Sequence, residues 1–140
     1  MEALIVLLIL VVVGVLIAVV ASKRGSHAPT APSYSAPTQL DPDDFVKGDQ
    51  KANVVMFGSK TCTGCAEMSQ AIETLSESQE FVVSLLIMNE DRPELFTKYS
   101  VDGIPSTLIV DEVGVVSDSF FGPTSTERLL EAYSKLGSAS

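Results

Sequence analysis

The first part of the chain is a long apolar stretch. From Ala3 to Ala21, 19 consecutive residues carry no charge and no strongly polar group. A helix of that length extends roughly 28 Å, which is close to the thickness of the hydrocarbon core of a bilayer. A buried core helix would be shorter and would carry polar residues on one side. The stretch therefore predicts a single transmembrane helix within residues 1–21, with the membrane contact made by residues 3–21.

A cleaved signal peptide is the competing interpretation of this stretch. Signal peptides begin with positive charge and have an apolar run of about 7–15 residues. This chain begins with Met1 and Glu2, and its first basic residues, Lys23 and Arg24, follow the run. We therefore expect an uncleaved single-pass anchor. Because Lys and Arg beside a span favour the cytoplasmic side, we expect the following domain in the cytoplasm, with an extracytoplasmic domain as the alternative.

Residues 22–40 have the composition of a flexible linker. The segment is rich in Ser, Ala, Thr and Pro and lacks the apolar periodicity of a helix or strand. Such a coil would extend roughly 25 Å from end to end. His27 is the only histidine of the chain, and we assign it no role.

The remaining residues, 41–140, suffice for one small domain with a single core. They hold 17 acidic and 7 basic residues, a net charge of about −10. Nucleic acid and anionic membrane surfaces would repel such a domain. We therefore expect no nucleic acid among its partners, and we expect it to be a monomer.

Helical and strand patterns alternate along this domain. The predicted strands cover residues 53–57, 81–88, 106–110 and 115–121. One predicted helix begins at Asp41, and three further helices cover residues 65–78, 93–99 and 124–136. Strands that alternate with helices and end in a hairpin and a helix predict an α/β fold, with a mixed sheet covered on both faces. The residues expected to face inward are Ala66, Ser69, Ile72, Leu75 and Ser76 in the second helix and Leu129, Leu130 and Leu136 in the last.

Both cysteines of the chain lie between a predicted strand and the helix that follows it. Cys62 precedes the helix and Cys65 lies in its first turn. A helix N-terminus stabilises an anion and so lowers the pKa of a thiol placed there. This placement predicts a redox pair, with Cys62 as the exposed nucleophile and Cys65 as the resolving cysteine. Lys60, Thr63 and Gly64 are the residues expected to tune the pKa of the nucleophile.

Other interpretations of the two cysteines stay open at this point. Two thiolates can bind Cu(I), and the stretch is similar to the metal loop of small copper-carrying domains, although Lys60 stands where those domains have methionine. A zinc site needs four ligands, and the domain offers two cysteines and no histidine, so we assign no metal ligand. A structural disulfide would gain little from so short a loop. The last alternative is a non-catalytic, membrane-tethered module that binds peptides.

Residues 41–136 resemble the thioredoxin family. The resemblance is carried by strand NVVMF, by TCTGC at the start of a helix, by GIPSTLIV and by SFFG before the last helix. It implies a thioredoxin-like fold, thiol–disulfide oxidoreductase activity without a cofactor, protein disulfide or dithiol substrates and a redox recycling partner. The resemblance also implies that the Ile104–Pro105 bond is cis and that Ile104 and Pro105 bind substrate, with the backbone of Ile104 paired to an extended segment.

The chain departs from the family pattern around the cysteines. Thr61 stands where the family has tryptophan, Thr63 and Gly64 stand where it has glycine and proline, and Met56 stands where it often has a buried aspartate. The residues between the cysteines help to set the reduction potential. The sequence therefore leaves the direction of electron flow open.

Overall fold

The computed structural model describes the backbone of residues 1–24 and 35–138 and the side chains of residues 1–17 and 35–138. Most of the predicted linker, including His27, lies outside these residues. The chain divides into two compact units, Met1–Ser33 and Tyr34–Ser140. The first contains helix α1, Glu2–Arg24, and its large apolar side chains from Leu4 to Ile17 are exposed. We predicted a transmembrane helix here, but among the residues that the structure describes no helix is both long enough and apolar enough to cross a membrane.

The second unit contains a mixed sheet flanked by helices. Its elements are a 3-10 helix Pro42–Asp44, β1 Val46–Lys47, β2 Gln50–Lys51, β3 Val54–Gly58, α2 Thr63–Ser78, β4 Ser84–Met88, α3 Pro93–Lys98, β5 Ser106–Val110, β6 Val116–Phe121 and α4 Thr126–Ser138. Four of the strands form a sheet in the order β4-β3-β5-β6. Strand β3 runs parallel to β4 and antiparallel to β5, and β5 runs antiparallel to β6. The predicted mixed sheet is confirmed.

Both faces of the sheet are covered, which explains the uninterrupted apolar runs of its central strands. Every residue of β3 and of β5 is buried. On one face, α2 and α4 contribute Ile72 and Leu129 to a cluster that includes Met56. On the other face, α3 contributes Leu95 to a cluster with Phe45 and Phe57. The predicted arrangement, with helices on both sides of the sheet, is therefore correct.

The helix predicted to begin at Asp41 is only one turn of 3-10 helix. Asp41 is its N-cap, and its side chain accepts a hydrogen bond from the Asp43 N–H at 3.1 Å. The chain then turns at Gly48, where φ is +63°, and the two-residue strands β1 and β2 pair across this turn. A left-handed backbone favours glycine, so Gly48 suits the turn between the two strands. The sequence analysis missed this hairpin.

Residues 38–40, which the sequence analysis placed in the linker, are part of the folded unit. Gln39 forms an isolated bridge with Val115. Leu40 is 1% exposed, and its N–H donates to the Gly114 carbonyl oxygen at 2.8 Å. Gly114 has φ +90°, and a Cβ there would lie 2.1 Å from the Leu40 carbonyl oxygen. Only glycine therefore fits this close approach, and the ordered chain begins before residue 41.

The buried face of α2 is shifted relative to the predicted one. Its buried residues are Cys65, Met68, Ile72 and Leu75. Ala66 is exposed and Ser69 is half-buried, so the prediction is correct only for the second half of the helix. Met68 is the larger apolar neighbour of Ser69, and its burial removes more apolar area from water.

Two apolar side chains expected in the core are exposed instead. Leu130 of α4 is 37% exposed, and Ala132 is buried in the same helix together with Leu129. Phe81 is 78% exposed, and it lies outside β4, which begins at Ser84. Apolar character alone therefore misplaced these two residues.

Candidate functional site

Cys62 and Cys65 form a disulfide at the start of α2. Their Cα atoms are 5.2 Å apart. Cys62 is the N-cap residue of the helix, and its Sγ accepts a hydrogen bond from the Cys65 N–H at 3.1 Å. The sulfur thus takes the place that a serine or aspartate oxygen commonly takes at a helix N-terminus. After reduction the same N–H and the positive end of the helix would stabilise a thiolate on Cys62.

The two sulfur-bearing residues differ in exposure. Cys62 is half-buried, whereas Cys65 is 2% exposed and belongs to the core cluster beneath α2. An incoming substrate therefore meets Cys62 first. This asymmetry fits the predicted roles of nucleophile and resolving residue.

The loop before β5 lies against the cysteine pair. The Ile104–Pro105 bond is cis, as the resemblance to the thioredoxin family implied. A Cβ on Gly64, between the two cysteines, would lie 3.5 Å from Pro105 Cδ, so the predicted substrate-binding loop contacts the redox motif. Pro105 is buried, while Ile104 is 36% exposed. The structure thus brings the predicted catalytic and substrate-binding residues together.

Lys60 is engaged away from the sulfur atoms. Its Nζ forms an ion pair with Asp91 at 2.7 Å, and this hydrogen bond raises the pKa of Lys60 above its usual value. Its backbone N–H donates to the Glu90 carboxylate at 3.2 and 3.3 Å. The predicted effect of Lys60 on the pKa of Cys62 therefore stays a prediction, and any such effect is reduced by the negative charge of Asp91.

The residues behind Cys65 are apolar. Met56 is fully buried, and a Cβ on Gly58 would lie 3.0 Å from Cys65 Sγ and 3.1 Å from Met56 Cε. Ser69 is the nearby polar residue, and its hydroxyl donates to the Cys65 carbonyl oxygen at 2.8 Å. The buried polar residues among those described are Ser106 and Thr107, so no buried carboxylate accompanies Cys65. Met56 thus occupies the place expected from the sequence, directly beside the resolving cysteine.

The sequence analysis missed two contacts at the edge of the site. A Cβ on Gly64 would lie 3.2 Å from Pro123 Cγ, and a Cβ on Gly103 would lie 2.2 Å from Phe121 Cε2. The ring of Phe121 therefore covers Gly103, next to Ile104. Phe121, at the end of the predicted strand 115–121, and Pro123, after it, are visible in the sequence, but their contacts with Gly103 and Gly64 are not.

The described residues contain no group of three or more His, Cys, Asp and Glu side chains arranged to hold a metal ion.

The sequence was compared with protein families and with curated proteins, and the structure with solved structures. The family model described as thioredoxin matches residues 37–135, whereas no curated protein matches the sequence. Among solved structures, chloroplastic thioredoxin z is 18% identical with a TM-score of 0.55, over 61% of this chain and 77% of that one. The Fasciola hepatica thioredoxin is 24% identical with a TM-score of 0.52, over 59% and 77%. Desulfothioredoxin from Desulfovibrio vulgaris Hildenborough is 21% identical with a TM-score of 0.52, over 59% and 78%.

These structural likenesses concern the fold, because the identities are low. The match to the family model establishes more than the fold, since it spans well over half of the chain and includes both cysteines and the cis proline. The chain therefore belongs to the thioredoxin family, and its Cys62–Cys65 pair makes it a thiol–disulfide oxidoreductase.

Proposed function

We propose that the chain is a membrane-anchored oxidoreductase that reduces or exchanges disulfides of protein substrates through Cys62 and Cys65. The activity class follows from the family and the cysteine pair. The proposal adds the role of each residue, the kind of substrate and the anchor. It rests mainly on the disulfide at the first turn of α2, where Cys62 is the more exposed sulfur and the cis Ile104–Pro105 loop lies alongside.

In the reducing direction the reaction begins with attack by the Cys62 thiolate on a substrate disulfide. A bond forms between Cys62 and one substrate sulfur while the substrate S–S bond breaks, and the departing sulfur takes up a proton. Cys65 then loses its proton and attacks Cys62, which forms the Cys62–Cys65 bond and releases the second substrate thiol. Two electrons pass from the cysteine pair to the substrate, and the reverse sequence donates the disulfide.

The fold supplies the nucleophile with its stabilising environment. The Cys65 N–H lies 3.1 Å from Cys62 Sγ, and a thiolate at a helix N-terminus has a lowered pKa. Among the described residues no carboxylate is buried, so none is available in the buried surroundings of Cys65. We therefore expect the Cys65 thiol to keep a higher pKa than Cys62, because burial disfavours its charged form.

The proposed protein substrate binds as an extended segment. Ile104 is 36% exposed beside the disulfide, and its backbone lies directly before β5. An extended chain that pairs with the backbone of this segment, outside the ladders of β5, gains main-chain hydrogen bonds. Recognition of this kind suits a protein disulfide better than a small thiol compound.

A redox titration of the full-length protein tests the activity. The protein is equilibrated in a series of glutathione buffers, alkylated and weighed by mass spectrometry, and we expect one reversible two-thiol transition. A potential near about −270 mV would indicate a reductant, and one near about −120 mV would indicate a disulfide donor. The absence of any reversible transition would contradict the proposal.

Trapping of mixed disulfides tests the two roles separately. With Cys65→Ser, the resolving step is lost, and we expect covalent complexes between Cys62 and substrate proteins. Cys62→Ser is the matched control and should yield none. Equal trapping by both variants would contradict the assignment of Cys62 as nucleophile.

The proposed anchor is the uncharged stretch from Ala3 to Ala21, and its support is the sequence and the exposure of its described apolar side chains. Lys23 and Arg24 follow the stretch, and basic residues favour the cytoplasmic side. We therefore propose that the thioredoxin domain lies in the cytoplasm. A C-terminal reporter enzyme that is active only outside the cytoplasm should stay inactive, and its activity would contradict this orientation.

A further inference from the structure

A cavity opens directly beside the cysteine pair. Its volume is about 450 Å³, and its lining consists of Ser59, Thr61, Asn89, Glu90, Phe96, Val101, Asp102, Gly103 and Ile104. Thr61 immediately precedes Cys62, and Ile104 immediately precedes Pro105. The cavity therefore adjoins both features that define the redox site, and a substrate segment laid along Ile104 would pass its mouth.

The lining is divided between apolar and acidic groups. Phe96, Val101 and Ile104 form the apolar part, and the Phe96 ring packs edge-to-face on Phe57 with 5.2 Å between ring centroids. Glu90 and Asp102 supply two carboxylates, and no Lys or Arg belongs to the described lining. An apolar wall beside carboxylates matches a side chain with a long aliphatic stem and a cationic end.

The Glu90 carboxylate is held in place by the loop that precedes the cysteines. Both of its oxygens accept from the Lys60 N–H, at 3.2 and 3.3 Å. The ammonium of Lys60 is bound by Asp91 at 2.7 Å, and the guanidinium of Arg92 is paired with Glu94. A carboxylate oxygen has more than one lone pair, so Glu90 can accept a further hydrogen bond from a ligand in the cavity.

We propose that this cavity receives a lysine or arginine side chain that flanks the reacting cysteine of the protein substrate. The inference rests on the proposed function, in which a substrate disulfide is attacked by Cys62. The aliphatic stem packs against Phe96 and Val101, and the charged end reaches Glu90 or Asp102. Arginine fits best because its planar fork pairs well with carboxylates. The net charge of −9 also attracts cationic segments over a longer range.

Matched peptides test the inference on the full-length protein. The peptides share one sequence with two cysteines joined by a disulfide. The two residues before the first cysteine and the two residues after it are varied one at a time, and each is replaced by Arg, Gln or Glu. The reduced protein is mixed with excess peptide, the reaction is stopped with an alkylating agent, and the remaining Cys62 and Cys65 thiols are counted by mass spectrometry. At the best position we expect Arg to react about fivefold faster than Gln, with Glu slower than both, as an ion pair of modest strength predicts.

Charge variants show which groups carry the preference. Glu90→Gln combined with Asp102→Asn should bring the ratio of the Arg rate to the Gln rate close to one. Asp102→Lys is a second variant, and it should favour the Glu peptide. Glu80→Gln combined with Glu112→Gln is the matched control, because it also removes two negative charges and neither residue lines the cavity. It should keep the ratio of the native protein.

The outcomes separate this inference from the proposed function. Equal rates for the Arg, Gln and Glu peptides with the native protein would overturn the inference and leave the oxidoreductase role standing. A preference for Arg that survives in the double variant would also overturn it, because the carboxylates would then play no part. Failure of all peptides to oxidise the cysteine pair would instead contradict the proposed function.

Discussion

Met56 and Thr107 face each other across β3 and β5, close to the resolving cysteine. They are direct register partners, so their side chains lie on the same face of the sheet. Met56 belongs to the core cluster that includes Cys65. Thr107 is fully buried, and among the described residues its hydroxyl has no hydrogen-bond partner. A buried hydroxyl without a partner costs free energy.

We expect Thr107→Val to stabilise the domain. Valine keeps the branched shape and removes the buried hydroxyl, so the free energy of unfolding should rise by about 1 kcal/mol. Urea unfolding of the oxidised protein measures the change. Thr107→Ser is the control, since it keeps the hydroxyl and loses a methyl group, and it should be less stable than the native protein. A loss of stability in Thr107→Val would show that the hydroxyl has a partner.

Gly103 and Phe121 form a contact that leaves no space for a larger residue. A Cβ on Gly103 would lie 2.2 Å from Phe121 Cε2, and the Phe121 ring is 50% exposed. In Gly103→Ala the Phe121 ring must move away, and we expect the free energy of unfolding to fall by about 1 kcal/mol. In a Phe121→Ala background the same substitution should cost almost nothing. A double-mutant cycle by urea unfolding measures this coupling, and additive effects would contradict the contact.

Single residues were predictable from sequence where chemistry and spacing identify them. Cys62, Cys65 and Pro105 belong to a recognisable pattern, and the structure places them together. The contact of Phe121 with Gly103 was not predictable, because it depends on how β6 returns along β5. The sequence of a strand does not show which of its apolar residues packs on a particular glycine.

At the scale of elements, the 3-10 helix is joined to α3 by a small polar network. Asp44 Oδ2 accepts from the Lys98 ammonium and from the Tyr99 hydroxyl, each at 2.6 Å. The pKa of Asp44 is lowered below its usual value of 3.8, mainly by the hydrogen bond from Lys98 and next by the hydrogen bond from Tyr99. Burial is the main cause that raises the pKa of Tyr99. The network therefore prefers the ionised carboxylate.

The lowered pKa of Asp44 predicts how this network responds to acid. Its contribution to stability is present above the unfolded pKa and is lost as the pH falls through the lower pKa of the folded state. At pH 7 we expect Asp44→Asn to cost about 1–2 kcal/mol of unfolding free energy, and the cost should shrink as the pH falls below the usual carboxyl pKa of 3.8. Urea unfolding at several pH values measures it.

Asp43→Asn is the matched control for this experiment. Asp43 lies 3.6 Å from Lys51, and its side chain is 85% exposed, so an exposed ion pair of this kind should contribute less than about 0.5 kcal/mol. If Asp44→Asn cost the same at both ends of the pH range, the carboxylate would not be the group that stabilises the network.

Most of the elements were predictable because they carry strong patterns. The strands around Val55 and Leu108 are bounded apolar runs, the strand that ends at Phe121 follows the turn at Gly114, and α2 begins where a capping position meets helical spacing. The β1–β2 hairpin was not predictable, because its four residues are all exposed and carry no apolar alternation. The turn at Gly48 was its one local signal.

At the scale of the whole molecule, removal of residues 2–24 tests the proposed anchor. We expect the full-length protein to sediment with membranes, to resist alkaline washing and to be released by detergent. The truncated protein should remain in the supernatant with an unchanged reduction potential. Val12→Arg is a milder variant, and a charge at the centre of a span costs about 2.5–3.5 kcal/mol on insertion scales. A full-length protein that stays in the supernatant would contradict the anchor.

The bridge between Gln39 and Val115 fixes where the chain enters the folded unit. Strands β5 and β6 carry the chain from Pro105 to the turn at Gly114 and back, so the entry point lies at the opposite end of the sheet from Cys62, roughly 15 Å away at the rise of a strand. The predicted linker and the proposed anchor are thus joined to the domain at the end remote from the disulfide. We expect a change in the length of the linker to alter how far the disulfide reaches from the membrane and to leave its chemistry unchanged.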